Sequence, residues 1–322
     1  MTKMKKLFIT RKMPEHMVQQ LVPYYEIVQW NEVSTSAPAK FTEEAIKDAD
    51  AVWCVGGDSF SSQVLSNAKN LKLVANFGVG YNNLDIDLMK TQNILITNTP
   101  NVLNDATADL AFALMLSTAR LIPQNMKCIE QNKWTGWGPY QGAGVDISNK
   151  KLGIIGMGKI GETVAKRSLG FDMEILYYNR NRKEELERKY NATYCDLNTL
   201  LTQSDFIIIF TPLTPETRNL ITLEQLKLMK SNAILINVAR GGIVNEKDLY
   251  IALKEKMIWA AGFDVFEEEP ISNNHQLLQL ENFVATPHIG SATIGTRDAM
   301  MQLNIDSLIA LVKNEPIPNL IY

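Results

Sequence analysis

The stretch LGIIGMGKIG at 152–161 constrains this chain more than any other feature. An apolar run enters Gly156-x-Gly158-x-x-Gly161, and a helical pattern follows from Ile160 through Lys166. A buried strand feeding a glycine turn and then a helix is the arrangement a dinucleotide diphosphate requires. Gly156 permits the tight turn, Gly158 lets backbone approach phosphate, and Gly161 lets the helix pack on the strand. Gly156, Met157, Gly158, Lys159, Ile160 and Gly161 are therefore the candidate diphosphate residues. A glycine triplet carries weight only in context. Here a strand precedes it, and a second strand, Glu174–Tyr178, follows about twenty residues on, where the ribose is read.

That fingerprint normally opens a Rossmann unit, yet residues 1–151 precede it. They show their own alternation of short apolar runs and amphipathic stretches: Leu7–Ile9, Ala51–Val55, Leu73–Asn76 and Ile94–Thr97. The pattern continues as Leu152–Ile155, Ile175–Tyr178, Phe206–Phe210, Ile234–Val238, Ala260–Asp264 and Phe283–Ala285. Alternating strands and helices imply parallel sheets with right-handed crossovers. The expected fold is α/β, with two Rossmann-like or flavodoxin-like doubly wound sheets and a cleft between them. Two long helices look like the connections. Ala106–Arg120 is apolar almost all round, with Asn104 or Asp105 as its cap, and Pro100 restricts the residue before it. The second runs over Ile294–Lys313. The expected domains are 1–100 plus 290–322 for substrate and 101–289 for the dinucleotide.

The chain has 322 residues, of which 46% are hydrophobic and 21% charged, with net charge −3. That length suits two domains, and that charge argues against a nucleic-acid surface. The basic run Lys3–Lys6 reads as a solvated N-terminus, since Leu7-Phe8-Ile9 is too short for a secretory core. No apolar stretch approaches a membrane span of about 18 residues. Cys54, Cys128 and Cys195 are scattered, with no CxxC pair, as expected of reduced thiols in a cytoplasmic protein. With only three histidines, no metal site is expected. The loop Trp134–Gly144 suits covering a partner subunit or the cleft, or equally forming its own surface aromatic cluster.

Three polar residues fall just beyond strand ends in the second half, on the edge where doubly wound sheets bind ligands. Arg240 lies in NVARGGIV, Glu269 in FDVFEEEP and His288 in ATPHIGSAT. A guanidinium can fork onto carboxylate and carbonyl oxygens. An imidazole can give a proton to oxygen as hydride reaches the adjacent carbon, and a carboxylate can orient and charge that imidazole. Together they can reduce a 2-oxo acid. Each alone has a plainer reading: Arg240 as a helix cap or phosphate ligand, Glu267 and Glu268 as a solvated acidic turn.

These motifs, with NFGVGYNNLD at 76–85 and TPNVLNDATAD at 99–109, resemble the D-2-hydroxyacid dehydrogenase family over essentially the whole chain. The similarity is greatest to the glyoxylate/hydroxypyruvate reductases, whose relatives also reduce 2-keto sugar acids. The resemblance implies Arg240, Glu269 and His288 as catalytic residues. It places substrate carboxylate on the N–H groups of Val79 and Gly80. It sets Thr107, Asp264 and Gly290 near nicotinamide and ribose, with Pro212, Val238, Ala239 and His288 also on the cofactor. A homodimer is expected, and no regulatory domain is expected after residue 322, unlike in many phosphoglycerate dehydrogenases of this superfamily.

Cofactor choice has its own argument. Sites specific for NAD usually place Asp or Glu at the end of the second strand, on the ribose 2′-OH. Here that end reads Tyr178-Asn179-Arg180-Asn181-Arg182-Lys183, with no acid. Arg180 and Arg182 could clamp a 2′-phosphate beside Asn179, or Arg182 and Lys183 could simply open a charged helix with Glu184 and Glu185. The expectation is an NADPH-preferring reductase of small 2-oxo acids, with NADH possible. The alternatives are an NAD-linked D-lactate-like or phosphoglycerate dehydrogenase, and a dinucleotide-sensing scaffold of the same fold.

Overall fold

The computed structural model describes residues 4–322, so Lys3 of the basic run lies outside the described residues. The chain divides into two units. One comprises the described residues up to Leu103 together with Thr293–Tyr322, the other Asn104–Ala292.

The first unit is built on β1 (Lys5–Ile9), β2 (Tyr25–Gln29), β3 (Ala51–Val55), β4 (Leu73–Phe77) and β5 (Leu95–Thr97). These pair in parallel in the order β2-β1-β3-β4-β5. Successive residues face opposite sides, so each inner strand feeds two cores. Phe8, Val52, Cys54 and Val74 enter one; Leu7, Ile9, Ala51, Trp53, Leu73 and Ala75 enter the other. The helix Ile294–Lys313 covers the latter core with Met301, Ile305 and Leu308.

The second unit holds β6 (Lys151–Ile155), β7 (Glu174–Tyr178), β8 (Thr193–Tyr194), β9 (Phe206–Ile209), β10 (Ile234–Asn237), β11 (Ala260–Phe263) and β12 (Phe283–Ala285). Their order is β12-β11-β10-β9-β6-β7-β8, all parallel. The order reverses between β6 and β9, which opens a crevice at their carboxyl ends. The helix Asn104–Ala119 is buried along Ala108, Ala111, Met115 and Ala119. It starts at Asn104, so Asn104 and Asp105 sit in its first turn and do not cap it. Arg167, from the helix Lys159–Ser168, reaches Asp109 at 2.6 Å and Asp105 at 3.0 Å and ties the two helices together.

Two strands lie outside the apolar runs of the sequence, β2 and β8. Both are sheet edges. β2 reads YEIVQ and buries Tyr25 alone; β8 has two residues. An edge strand needs no continuous apolar run. The segment 134–144 has no helix or strand. Trp137 and Tyr140 are each 89% exposed and no ring pairs with another there, so the segment does not form an aromatic cluster of its own. Among the described residues, no single helix is long and apolar enough to cross a membrane.

Candidate functional site

The glycine turn leaves β6 at the point where the strand order reverses. Gly156 has φ +103°, and a Cβ there would lie 2.6 Å from the Thr211 nitrogen. The turn is thus pressed against the segment leaving β9, and Pro212 follows directly. A Cβ on Gly161 would strike the Gly156 carbonyl oxygen, whereas one on Gly158 would meet no atom within 4 Å. No side chain caps the helix Lys159–Ser168, which leaves the N–H groups of Lys159, Ile160 and Gly161 available to a ligand. An open face at Gly158 beside an uncapped helix start fits a dinucleotide diphosphate. Met157 is buried, and its N–H donates to Asn179 Oδ1 at 2.6 Å. Asn179 Nδ2 reaches back to the Met157 carbonyl at 3.4 Å. Asn179 therefore braces the glycine turn with both ends of its amide.

The arginines beyond β7 are not equivalent. Arg180 is exposed and holds no ion pair among the described residues. Arg182 does not stand open beside it as the clamp reading requires. Its Nε and Nη2 each lie 2.8 Å from the two oxygens of Glu187, a fork-on-fork pair. Glu187 sits inside the helix Glu184–Tyr190, and its carboxylate faces back toward the strand.

The acid–base groups follow adjacent strands β10, β11 and β12. His288 Nδ1 lies 2.6 Å from Glu269 Oε2, and Glu269 Oε1 accepts the Phe266 N–H at 2.9 Å. Burial pushes the Glu269 carboxyl up. The His288 bond and charge, the Phe266 N–H and the Arg240 charge outweigh it and hold the group below the ordinary carboxylate value. Of the three successive acids, Glu269 is the one on the imidazole; Glu267 faces Arg218 at 3.6 Å. His288 Nε2 has no protein partner among the described residues. Arg240 donates to the Ala239 carbonyl at 2.7 Å. Gly241 packs so closely on Phe266 that a Cβ would overlap the Phe266 carbonyl, which brings the Arg240 turn against the Glu269 turn.

Several supporting polar groups escape the sequence reading. Asp264 is expected from the sequence beside the cofactor, but its anchoring role is not. Its two oxygens accept from Thr286 Oγ1 at 2.7 Å, Ile289 N at 2.8 Å and Gly290 N at 2.8 Å. Burial outweighs these donors and lifts its carboxyl above the ordinary value. Asp264 thus fixes the loop that carries His288, and Gly290 lies against both Asp264 and Thr107. Asn237 holds the 238–240 turn, accepting from Ala239 N at 3.1 Å and donating to the Arg240 carbonyl at 3.0 Å. Glu246, buried at the start of the helix Glu246–Lys254, accepts the Glu267 N–H at 2.6 Å. For Asp264 and Asn237 the available signal was an Asp or Asn at the last position of a strand or the next one.

In the first unit, Val79 and Gly80 follow β4. Asn98 Nδ2 binds the Val79 carbonyl at 3.0 Å and Asn76 Nδ2 binds the Gly80 carbonyl at 3.0 Å. Asn76 is itself fully buried, and its carbonyl accepts from Asn304, which also takes the Trp53 indole N–H. With the carbonyls pinned, the Val79 and Gly80 N–H groups have no acceptor among the described residues.

The NAD binding domain of D-isomer specific 2-hydroxyacid dehydrogenases matches residues 112–290. The chain belongs to the D-isomer specific 2-hydroxyacid dehydrogenase family and is an NAD(P)-dependent oxidoreductase. Within that family it is similar to the glyoxylate reductase of Pyrococcus horikoshii. The two are 45% identical over 320 residues, which is 98% of this chain and 95% of that one. Among solved structures, a protein of Thermus thermophilus superposes with TM-score 0.92 at 33% identity, over 98% of this chain and 100% of that one. An NADPH-dependent glyoxylate/hydroxypyruvate reductase of Sinorhizobium meliloti, solved with NADP and malonate, gives TM-score 0.86 at 29% identity, covering 99% and 97%.

Proposed function

We propose that this protein reduces glyoxylate, and with it hydroxypyruvate or 2-keto sugar acids, to D-2-hydroxy acids, with NADPH as the preferred reductant. The reduced nicotinamide supplies hydride when bound. The chain's own residues do the rest. The glycine turn and the 159–168 helix start hold the diphosphate, and Arg180 meets the 2′-phosphate, joined by Arg182 when the phosphate draws it from Glu187. Arg240 forks onto the carboxylate and carbonyl of the 2-oxo acid, and the Val79 and Gly80 N–H groups receive its carboxylate. His288 Nε2 gives a proton to the carbonyl oxygen, while Glu269 on Nδ1 fixes the orientation of the ring.

The observation that carries this reading is the 2.6 Å pair between His288 and Glu269 beside Arg240. A dinucleotide sensor would have no use for an oriented proton donor there. The names of the relatives, glyoxylate reductases among them, support the substrate class. The helix Ile122–Glu130 exposes Ile122, Met126 and Ile129, and Trp134 and Trp137, a few residues later in the chain, are exposed as well. This apolar face supports a homodimer. Three free cysteines support a cytoplasmic location.

The test is a panel of 2-oxo acids assayed with NADPH and with NADH. Turnover of glyoxylate with NADPH favoured is the expected result. No turnover with any 2-oxo acid would overturn the reading, and preference for NADH would overturn its cofactor part.

A further inference from the structure

We propose that Glu187 sets how strongly this site distinguishes a 2′-phosphate from a 2′-hydroxyl, by competing with the phosphate for the Arg182 guanidinium. The inference rests on the reading that Arg180 and Arg182 face the 2′-position of the cofactor, and it deepens that reading.

The geometry is that of an occupied clamp. A planar guanidinium offers Nε and one terminal nitrogen as a single fork, and that fork is what a phosphate takes. In Arg182 both members already bond Glu187, each at 2.8 Å. Glu187 is held from behind. Tyr177 donates its hydroxyl to Glu187 Oε1 at 2.7 Å and accepts the Lys183 N–H at 2.7 Å. Tyr177 is fully buried in β7. The carboxylate is thus a fixed part of the corner between β7 and the Glu184–Tyr190 helix. Its side chain is 16% exposed, against 57% for Arg182. The arginine is the movable partner. The Arg182 and Tyr177 bonds hold the Glu187 carboxyl down at about 2, so it stays anionic across the working range.

A 2′-phosphate must therefore draw Arg182 away from a fixed anion and sit near that anion's charge. A 2′-hydroxyl does neither. Two open arginines would favour NADPH heavily; one open arginine and one engaged arginine favour it less. At 187 a glutamine keeps an oxygen for the Tyr177 hydroxyl but gives up the charge that holds Arg182.

Isothermal titration of the full-length protein with 2′,5′-ADP and with 5′-ADP tests this without catalysis. Relative to wild type, Glu187→Gln should tighten 2′,5′-ADP by about two- to fivefold, the range of a single exposed ion pair. It should leave 5′-ADP unchanged, which also reports an intact fold. In an Arg182→Ala background the gain should vanish. Unchanged or weaker 2′,5′-ADP binding in Glu187→Gln would overturn the proposal, as would a gain that persists without Arg182. If Arg182→Ala by itself weakens 2′,5′-ADP while Glu187→Gln does nothing, only the role of Glu187 fails. If Arg182→Ala binds it as well as wild type, the arginine reading fails too.

Discussion

At residue 288 the backbone takes φ +52°, which a non-glycine residue adopts only when held there. The His288 N–H donates to the Asp264 carbonyl at 2.9 Å, and the Asp264 carboxylate takes the next two N–H groups, so the strain is fixed by one buried residue. Two predictions belong at this scale. Glu269 has its carboxyl held below the ordinary value. Its stabilising contribution is therefore complete above the unfolded carboxyl pKa, about 4.3, and is lost as pH falls through the lower folded value. Glu269→Gln should lose less stability than wild type on acidification over that window, as read from urea midpoints at neutral pH and near pH 3. An identical acid dependence would contradict the pairing. Arg240→Lys should lower kcat/KM for glyoxylate by roughly ten- to a hundredfold, because an ammonium cannot reproduce a fork worth about 1.5–3 kcal/mol. Unimpaired kinetics would make Arg240 structural. The placement of Arg240, Glu269 and His288 beyond adjacent strands was legible because each follows an apolar run by a few residues. The anchoring bonds of Asp264, Asn237, Glu246 and Asn76 were not, because their partners are mostly backbone groups of turns, and a turn's open N–H or carbonyl leaves no mark in the sequence.

At the scale of elements, the β6–glycine turn–helix unit is the most legible part of the chain. Its three glycines have separate steric duties, and one of them can be tested directly. Gly161→Ala drives a methyl group into the Gly156 carbonyl. The variant should lose about 1–3 kcal/mol of stability, by the usual range for an overpacked site, and should bind NADPH less tightly because the helix start moves. Denaturant unfolding and nucleotide titration check both; unchanged values would mean that the helix and strand do not need that close approach. Inner strands were readable as apolar runs because both faces are buried, as in Phe206–Ile209 and Ile234–Asn237. β2 was not, since Glu26 and Val28 of YEIVQ face solvent at a sheet edge. The ion pair of Arg182 with Glu187 was also hidden. The sequence shows five cations and three acids across 180–189, and only the helix at Glu184–Tyr190 decides which acid turns back.

For the whole molecule, the mid-chain position of the fingerprint implied another α/β unit before it, and the sheet of β1–β5 is that unit. The apolar face of the 122–130 helix, formed by Ile122, Met126 and Ile129, belongs to this scale as well. Light scattering should report a dimer, and Ile122→Glu with Ile129→Glu should shift it toward monomer; a monomeric wild type would contradict that assignment. The central claim is that His288, oriented by Glu269, delivers the proton that completes reduction of a 2-oxo acid. The most direct measurement is glyoxylate-dependent oxidation of NADPH by His288→Ala, set beside NADPH affinity in the same preparation. The account predicts a fall in kcat on the order of 10²–10⁴-fold, the usual contribution of a positioned acid, with NADPH affinity close to wild type. Turnover near that of the wild type would contradict it.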